Sequence, residues 1–144
     1  MKVEIFSICD FASCDSGGKM NIIGVFNTVA AREKPIIYGL CAVALRIRFE
    51  KVEEGPKKIK LTFVDADGSP IMPVIEPQFN VQFPPMASTA NAQIVTIIQQ
   101  IRFPSFGEYS LDLAIDGRQE ASTPFYVHQI PILPPQFQTP LPLG

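Results

Sequence analysis

Hydrophobic and polar residues alternate with a period of two along much of the chain. In residues 41–49 the odd positions are all apolar, whereas the even positions include Arg46 and Arg48. Residues 59–63 and 109–115 repeat this alternation. A period of two puts successive side chains on opposite faces of a β-strand. Each stretch is therefore predicted to be a strand with one buried and one solvated face, and no segment shows the 3.6-residue period of a helix.

Three further segments are apolar on both faces, at residues 3–11, 20–29 and 94–103. They are predicted to be central strands or strands whose outer face is covered. Turn-forming residues separate the segments. The sequence therefore predicts an all-β fold, a two-layer antiparallel β-sandwich of immunoglobulin-like type with seven to eight strands. The predicted strands lie near residues 2–11, 19–30, 40–50, 57–65, 78–83, 92–103, 107–116 and 119–128. Tyr109, after Phe106-Gly107-Glu108, is a candidate for the tyrosine corner of such sandwiches, although any buried tyrosine with a bonded hydroxyl would fit equally well.

Two hairpins decide where charged residues would lie. If strands 40–50 and 57–65 form a hairpin centred near Glu54, Phe49 lies opposite Ile59. In the last hairpin, a plain two-residue turn at Asp116-Gly117 would bury Glu120, which is costly. A longer loop or a bulge is therefore expected there, with Leu113 opposite Ala121.

The chain is predicted to contain two regions, a β-sandwich domain at residues 1–128 and a proline-rich apolar tail at residues 129–144. The tail contains five prolines and no charged residue. Such a composition favours an extended polyproline conformation or disorder. Its apolar side chains would alternatively pack on the sandwich or on a neighbouring subunit.

Composition limits the classes of function. The chain has 144 residues and a net charge of −2, which fits a single domain and argues against nucleic-acid binding. The amino terminus lacks the apolar core of a signal peptide, and no apolar run reaches the roughly 20 residues needed to span a membrane. Three cysteines without a C-x-x-C motif favour a reducing compartment, so we expect a cytoplasmic protein.

Few residues suit catalysis or metal binding. The only histidine, His128, has no neighbouring partner in sequence, and Cys9 and Cys14 are flanked by carboxylates that disfavour a reactive thiolate. We therefore expect no catalytic residue, no metal and no cofactor. An enzyme would require Cys9 or Cys14 to lie beside His128 in space.

A small basic strip is the most specific candidate site. If strands 40–50 and 57–65 pair as predicted, Arg48 lies opposite Lys60, with Arg46 one step along. Such a strip is suited to a carboxylate or phosphate. The candidate ligand-binding residues are Arg46, Arg48, Lys60 and Arg102. The alternative is an ordinary solvated face neutralised by a diagonal glutamate.

Residues 7–12, Ser-Ile-Cys-Asp-Phe-Ala, and residues 17–26, Gly-Gly-Lys-Met-Asn-Ile-Ile-Gly-Val-Phe, form a distinctive pair of motifs. They resemble a family of small bacterial proteins classified only as a domain of unknown function, in which C-D-F/Y-A precedes G-G-K-L-N-I-x-G-x-F. Residues 45–49 and 112–118 are also similar to that family. The resemblance covers about residues 3–128 and implies a β-sandwich in a bacterial, cytoplasmic setting. It implies no reaction, cofactor or catalytic residue, and Gly24 inside a strand indicates a bulge or a close backbone approach.

The function remains open among three hypotheses. The first is a non-catalytic protein-interaction or structural module that binds an unknown protein partner or itself, with no nucleic acid and no membrane. It rests on apolar residues that face outward, for which Ile94 and Ile98 are the candidates. The second is a binder of a small anionic or sugar-like ligand on the basic strip. An enzyme is the third.

Overall fold

The computed structural model describes residues 1–131. In these residues the chain forms strands and one short 3-10 turn at Lys51–Glu53, and no helix is long and apolar enough to cross a membrane. The strands are β1 (Lys2–Cys14), β2 (Met20–Val25), β3 (Thr28–Ala31), β4 (Ile36–Glu50), β5 (Gly55–Asp65), β6 (Gln78–Val81), β7 (Thr89–Phe103), β8 (Gly107–Ile115) and β9 (Arg118–Gln129). The predicted all-β class is confirmed.

The strands form two sheets that pack face to face. The four-stranded sheet has the order β2-β1-β4-β7, and the five-stranded sheet has the order β3-β9-β8-β5-β6. All strand pairs are antiparallel except β3 and β9, which are parallel, so the prediction of a purely antiparallel sandwich is wrong for this pair. The described residues contain nine strands, where seven to eight were predicted.

The additional strand arises because the predicted strand 19–30 divides between the two sheets. β2 ends at Val25, and β3 begins at Thr28 in the other sheet. Between them the Phe26 ring packs 5.2 Å from Tyr38 and 5.8 Å from Phe125, both measured between ring centroids. A large aromatic ring at this position anchors the crossover between the sheets, and the sequence pattern carries no sign of the break.

The hydrophobic core lies between the sheets and follows the predicted alternation. Leu45, Ile47 and Phe49 of β4 are completely buried. The rings of Phe63, Phe103 and other aromatic residues contact one another edge-to-face or stacked. Burial of one such side chain contributes about 1.5–3 kcal/mol. The period-two prediction is confirmed for β4, β5 and β8.

The predicted hairpin between residues 40–50 and 57–65 is wrong. β4 lies between β1 and β7, whereas β5 lies between β6 and β8 in the other sheet. After Phe49 the chain forms the 3-10 turn, in which the Glu50 amide donates to the Glu53 carboxylate at 2.9 Å. The Met1 amino group binds the same carboxylate at 2.9 Å. These contacts favour a turn that leaves the sheet, so the two strands meet across the core and not side by side.

The register of the last hairpin is confirmed. Leu113 pairs with Ala121, and a bulge between Leu113 and Ala114 accommodates the extra residue. The bulge keeps the Glu120 side chain out of the core, as the cost of burying a charge requires.

The β1–β2 hairpin doubles back over the outer face of its own sheet. The Gln93 side chain donates to the Gly18 carbonyl at the tip of the hairpin. Gln93 and Ile5 both pair with Arg46, so the two residues lie at the same height in the sheet. A straight hairpin would extend along β1 beyond Ile5 and put Gly18 roughly 40 Å from Gln93. The bend lies at Gly24, where φ is +71° and the β1–β2 pairing is interrupted, in agreement with the predicted bulge or close approach.

Small residues accommodate the folded-back hairpin. Ala42 and Ala44 lie on the outer face of β4 and are nonetheless completely buried, together with Cys9. Met20 and Ile22 of β2 pack against this cluster. This covering accounts for the apolar side chains on the inward face of β2, whereas Ile23 and Val25 on its other face are exposed.

The boundary between domain and tail falls close to the end of the described residues. β9 ends at Gln129, and the Ile130 amide still donates to the Ala31 carbonyl at 2.9 Å. The rest of the predicted tail, residues 132–144, lies outside the described residues.

Candidate interaction surface

The strand β7 forms one edge of the four-stranded sheet. It pairs with β4 along its whole length, from Thr89 opposite Glu50 to Phe103 opposite Ile36. Within residues 1–131 no strand pairs with its other side. An unpaired edge presents a row of backbone N–H and C=O groups that another strand can bind.

Over residues 89–99, before the irregularity at Gln100 and the charge of Arg102, the β7 edge lacks the features that usually protect such edges. Residues 89–101 contain no charge, no proline and no glycine. The other edge strands are short: β2 has 6 residues, β3 has 4, and β6 has 4 between Pro77 and Pro84. Short strands, charges and prolines are the means by which natural sheets avoid edge-to-edge pairing. At 15 residues, β7 therefore stands apart from the other three edges.

The outward-facing residues of β7 differ from those predicted. Ile94 and Ile98 pack into the main core, and Ile97 is the exposed residue, so the predicted orientation is wrong over this stretch. The reason is Gln100, whose φ of +55° reverses the alternation of faces. Ile101 and Phe103 point inward as predicted. A positive φ at a glutamine has no signature in the sequence pattern.

Exposed apolar side chains lie beside the β7 edge. Ile97 is 52% exposed, and Leu40, near it on β4, is 55% exposed. Val95, two residues before Ile97, is partly covered by the folded-back hairpin. An apolar surface next to an unpaired backbone edge is suited to a protein partner.

A polar cluster lies at the other end of this outer face. Glu4 accepts from Arg46 Nε at 3.1 Å and from Arg48 Nη1 at 3.4 Å. Asn91, with its amide oxygen towards Arg46, accepts from Nη2 at 2.8 Å and donates to Glu4 at 3.3 Å. A bulge in β1 between Val3 and Ile5 turns Glu4 towards the arginines, a feature that the sequence alternation did not reveal.

The structure brings together only two of the four predicted ligand-binding residues. Arg46 and Arg48 share Glu4, which is the neutralising glutamate of the alternative hypothesis. Lys60 lies in the five-stranded sheet opposite Ala114. Arg102 lies opposite Ile37, close to one end of β7, whereas Arg48 lies beside the other end of that strand. The predicted contact between Arg48 and Lys60 fails because their strands belong to different sheets.

Two of the candidate catalytic residues, Cys9 and His128, lie in different sheets. Cys9 is buried, its Sγ donates to the Ala42 carbonyl at 3.6 Å, and burial together with the Asp10 charge raises its pKa. A raised pKa keeps the thiol protonated and weakens it as a nucleophile. His128 lies on β9 in the other sheet, with its ring stacked 6.2 Å from Tyr126. The described part of the chain holds no cluster of three or more metal-ligating side chains.

Several open grooves lie on the surface of residues 1–131, and two of them border the bend at Gly24 and the β7 edge. One, of about 540 Å³, lies beside the bend at Gly24, and there Tyr38 donates its hydroxyl hydrogen to Asp10 at 3.2 Å. The other, of about 250 Å³, separates residues 79–82 near β6 from residues 90–94 of β7. The second groove therefore borders the first half of the β7 edge.

Residues 1–131 form an all-β architecture with two packed sheets and one long edge strand, β7, whose outer side pairs with no other described strand. The chain belongs to a family of unknown function (DUF6941), whose family model matches residues 4–128. This relationship confirms the family resemblance predicted from the motifs. No curated protein matches the chain.

Proposed function

We propose that the chain is a non-catalytic protein-interaction module that binds an extended strand of a partner along the free edge of β7. The observation that carries this proposal is the 15-residue edge strand, uncharged over residues 89–101, beside the exposed Leu40 and Ile97. Added strands gain affinity from main-chain hydrogen bonds and specificity from alternate side chains. The proposal assigns no chemistry to Cys9 or His128.

Affinity purification from the organism that encodes the chain tests this function. The variant Ile97→Lys places a charge on the β7 edge, and charges on an edge strand oppose added strands. Ile23→Lys is a matched control, because Ile23 lies on the opposite edge strand and is 62% exposed. We expect wild type and the control to retain the same bound protein and Ile97→Lys to lose it. Retention by all three proteins would contradict the proposal.

A second candidate function is binding of a small anion at Arg46 and Arg48. It is favoured by one observation, that two guanidinium groups share the single carboxylate of Glu4. Arginine recognises phosphate and carboxylate through paired donors. We expect inorganic phosphate to shift the side-chain NMR signals of Arg46 in wild type and not in Arg48→Gln. Equal shifts in both proteins would exclude the site.

We further infer that the sandwich is of immunoglobulin-like type. Tyr109 donates its hydroxyl hydrogen to the Ser105 carbonyl at 2.7 Å, which supports a tyrosine corner. A superposition on immunoglobulin domains that fails to align β8 and this corner would contradict the assignment.

We also propose a bacterial, cytoplasmic setting. The setting is supported by three free cysteines, of which Cys14 is exposed. We expect three titratable thiols in denatured protein isolated from its host without reductant. Fewer thiols would contradict a reducing compartment.

A further inference from the structure

We propose that the partner bound by β7 is the β7 strand of a second copy of this chain. The two strands would pair antiparallel about a two-fold axis, so that two four-stranded sheets become one continuous sheet. This inference rests on the proposed function and specifies the partner. Two-fold dimers present the same surface on both subunits, so their interface must be complementary to itself.

Residues 93–99 are complementary to a second copy of themselves because the types of their side chains follow the same order in both directions. They read Gln-Ile-Val-Thr-Ile-Ile-Gln, with Thr96 at the centre. In an antiparallel pair centred on Thr96, each residue lies opposite one of the same kind. Gln93 meets Gln99, Ile94 meets Ile98, Val95 meets Ile97, and Thr96 meets its own copy. Pairs of β-branched residues and threonine pairs of this kind stabilise neighbouring strands.

The same centre gives the longest overlap of the two strands. β7 extends from Thr89 to Phe103, so Thr96 is its middle residue. The residues that would lie opposite one another in 93–99 also share a face of the sheet, since the alternation is regular up to Gln100. Because residues 89–101 carry no charge, this register opposes no like charges.

The side chains on both faces suit such a dimer. On the inner face, Ile94 and Ile98 already belong to the core. On the outer face, Ile97 would meet Val95 of the second copy, which removes apolar surface from water without covering a charged group. Leu40 lies next to this contact on β4. The polar cluster of Glu4, Arg46 and Arg48 lies towards the other end of the sheet face.

Sedimentation equilibrium of the full chain tests the dimer. We expect wild type and Ile23→Lys to dimerise with the same dissociation constant, and Ile97→Lys to dimerise at least tenfold more weakly. Circular dichroism checks that the variants remain folded. A dimer that Ile97→Lys leaves unchanged would overturn the inference, because the contact would then lie elsewhere on the molecule.

A cross-linking experiment tests the register without relying on a destabilising charge. Thr96→Cys, in a Cys14→Ser background that removes the exposed native thiol, puts two thiols opposite each other at the two-fold axis. Paired strands bring such residues within the Cα separation of a disulfide. We expect mild oxidation to give a covalent dimer with Thr96→Cys and little with Gln99→Cys in the same background. Equal cross-linking at both positions would overturn the Thr96-centred register.

The outcomes separate this inference from the function on which it rests. If wild type is monomeric and binds a different protein that the Ile97→Lys variant does not bind, the dimer is overturned and the strand-binding function stands. If wild type is monomeric and no variant abolishes the binding of a partner, both the dimer and the strand-binding function are contradicted.

Discussion

Asp10 and Gly24 face each other at the bend of the β1–β2 hairpin, and the Asp10 carboxylate occupies the space that a Cβ atom on Gly24 would need. Asp10 also accepts a hydrogen bond from Tyr38, which belongs to β4. One glycine therefore satisfies two requirements, a φ of +71° and close contact with a neighbouring strand. The bend allows the hairpin to cover the outer face of its own sheet.

We expect Gly24→Ala to lower the free energy of unfolding in urea by about 1–3 kcal/mol, because it combines left-handed backbone strain with contact against Asp10. Gly68→Ala is the matched control, since Gly68 has a φ of +82° but no atom within 4 Å of the added Cβ. The control is expected to lose less stability. Equal losses would show that the Asp10 contact adds nothing.

Ala44→Leu tests whether the hairpin lies against β4 in solution. Ala44 is completely buried beneath the hairpin, so a larger side chain is expected to cost about 1–3 kcal/mol through overpacking. Hydrogen exchange of the β2 amides should accelerate at the same time. Ala114→Leu, on the partly exposed face of β8, should change neither quantity appreciably. Unchanged β2 exchange in Ala44→Leu would mean that the hairpin does not cover this residue.

Glu4→Gln is expected to reduce stability only slightly, by about 0.2–1 kcal/mol. The two ion pairs that it removes, with Arg46 and Arg48, are partly exposed to solvent. The loss, measured by thermal unfolding, should shrink as salt concentration rises, because salt screens surface charges. The exposed Glu108 provides a control, Glu108→Gln. A loss independent of salt would indicate that Glu4 acts through packing.

The free energy of unfolding is expected to depend on pH in alkaline solution because of the Cys41 thiol. Burial, with added repulsion from Cys9 and Asp10, raises the pKa of Cys41 from 9.0 to about 11. Between these values the unfolded chain loses the thiol proton and the folded chain keeps it, so stability falls as pH rises through this window and levels off above it. We expect this fall to be smaller in Cys41→Ala than in wild type when urea unfolding is measured at pH 8 to 11. Identical slopes in the two proteins would contradict the raised pKa.

The candidate surface was predicted only in part. An apolar outward face on residues 92–103 was expected from the sequence, but Ile94 and Ile98 were assigned to it and Ile97 to the core. The positive φ of Gln100 reverses which side chains of β7 face the core. A glutamine in the sequence gives no indication of that conformation. Arg46 and Arg48 were predicted to lie together on a solvated face, whereas their partner Glu4 depends on a bulge in another strand.

The alternation of apolar residues was sufficient to predict strands β4, β5 and β8 with their core residues, and charge placement added the register of β8 with β9. These features depend on neighbours in the chain and on the cost of burying Glu120, which act within one strand or one hairpin. The division of β4 and β5 between two sheets was decided by the tertiary structure, as were the fold-back of β2 and the edge position of β7. Those arrangements depend on contacts between residues far apart in sequence, such as Gln93 with Gly18, whose energies no local pattern records.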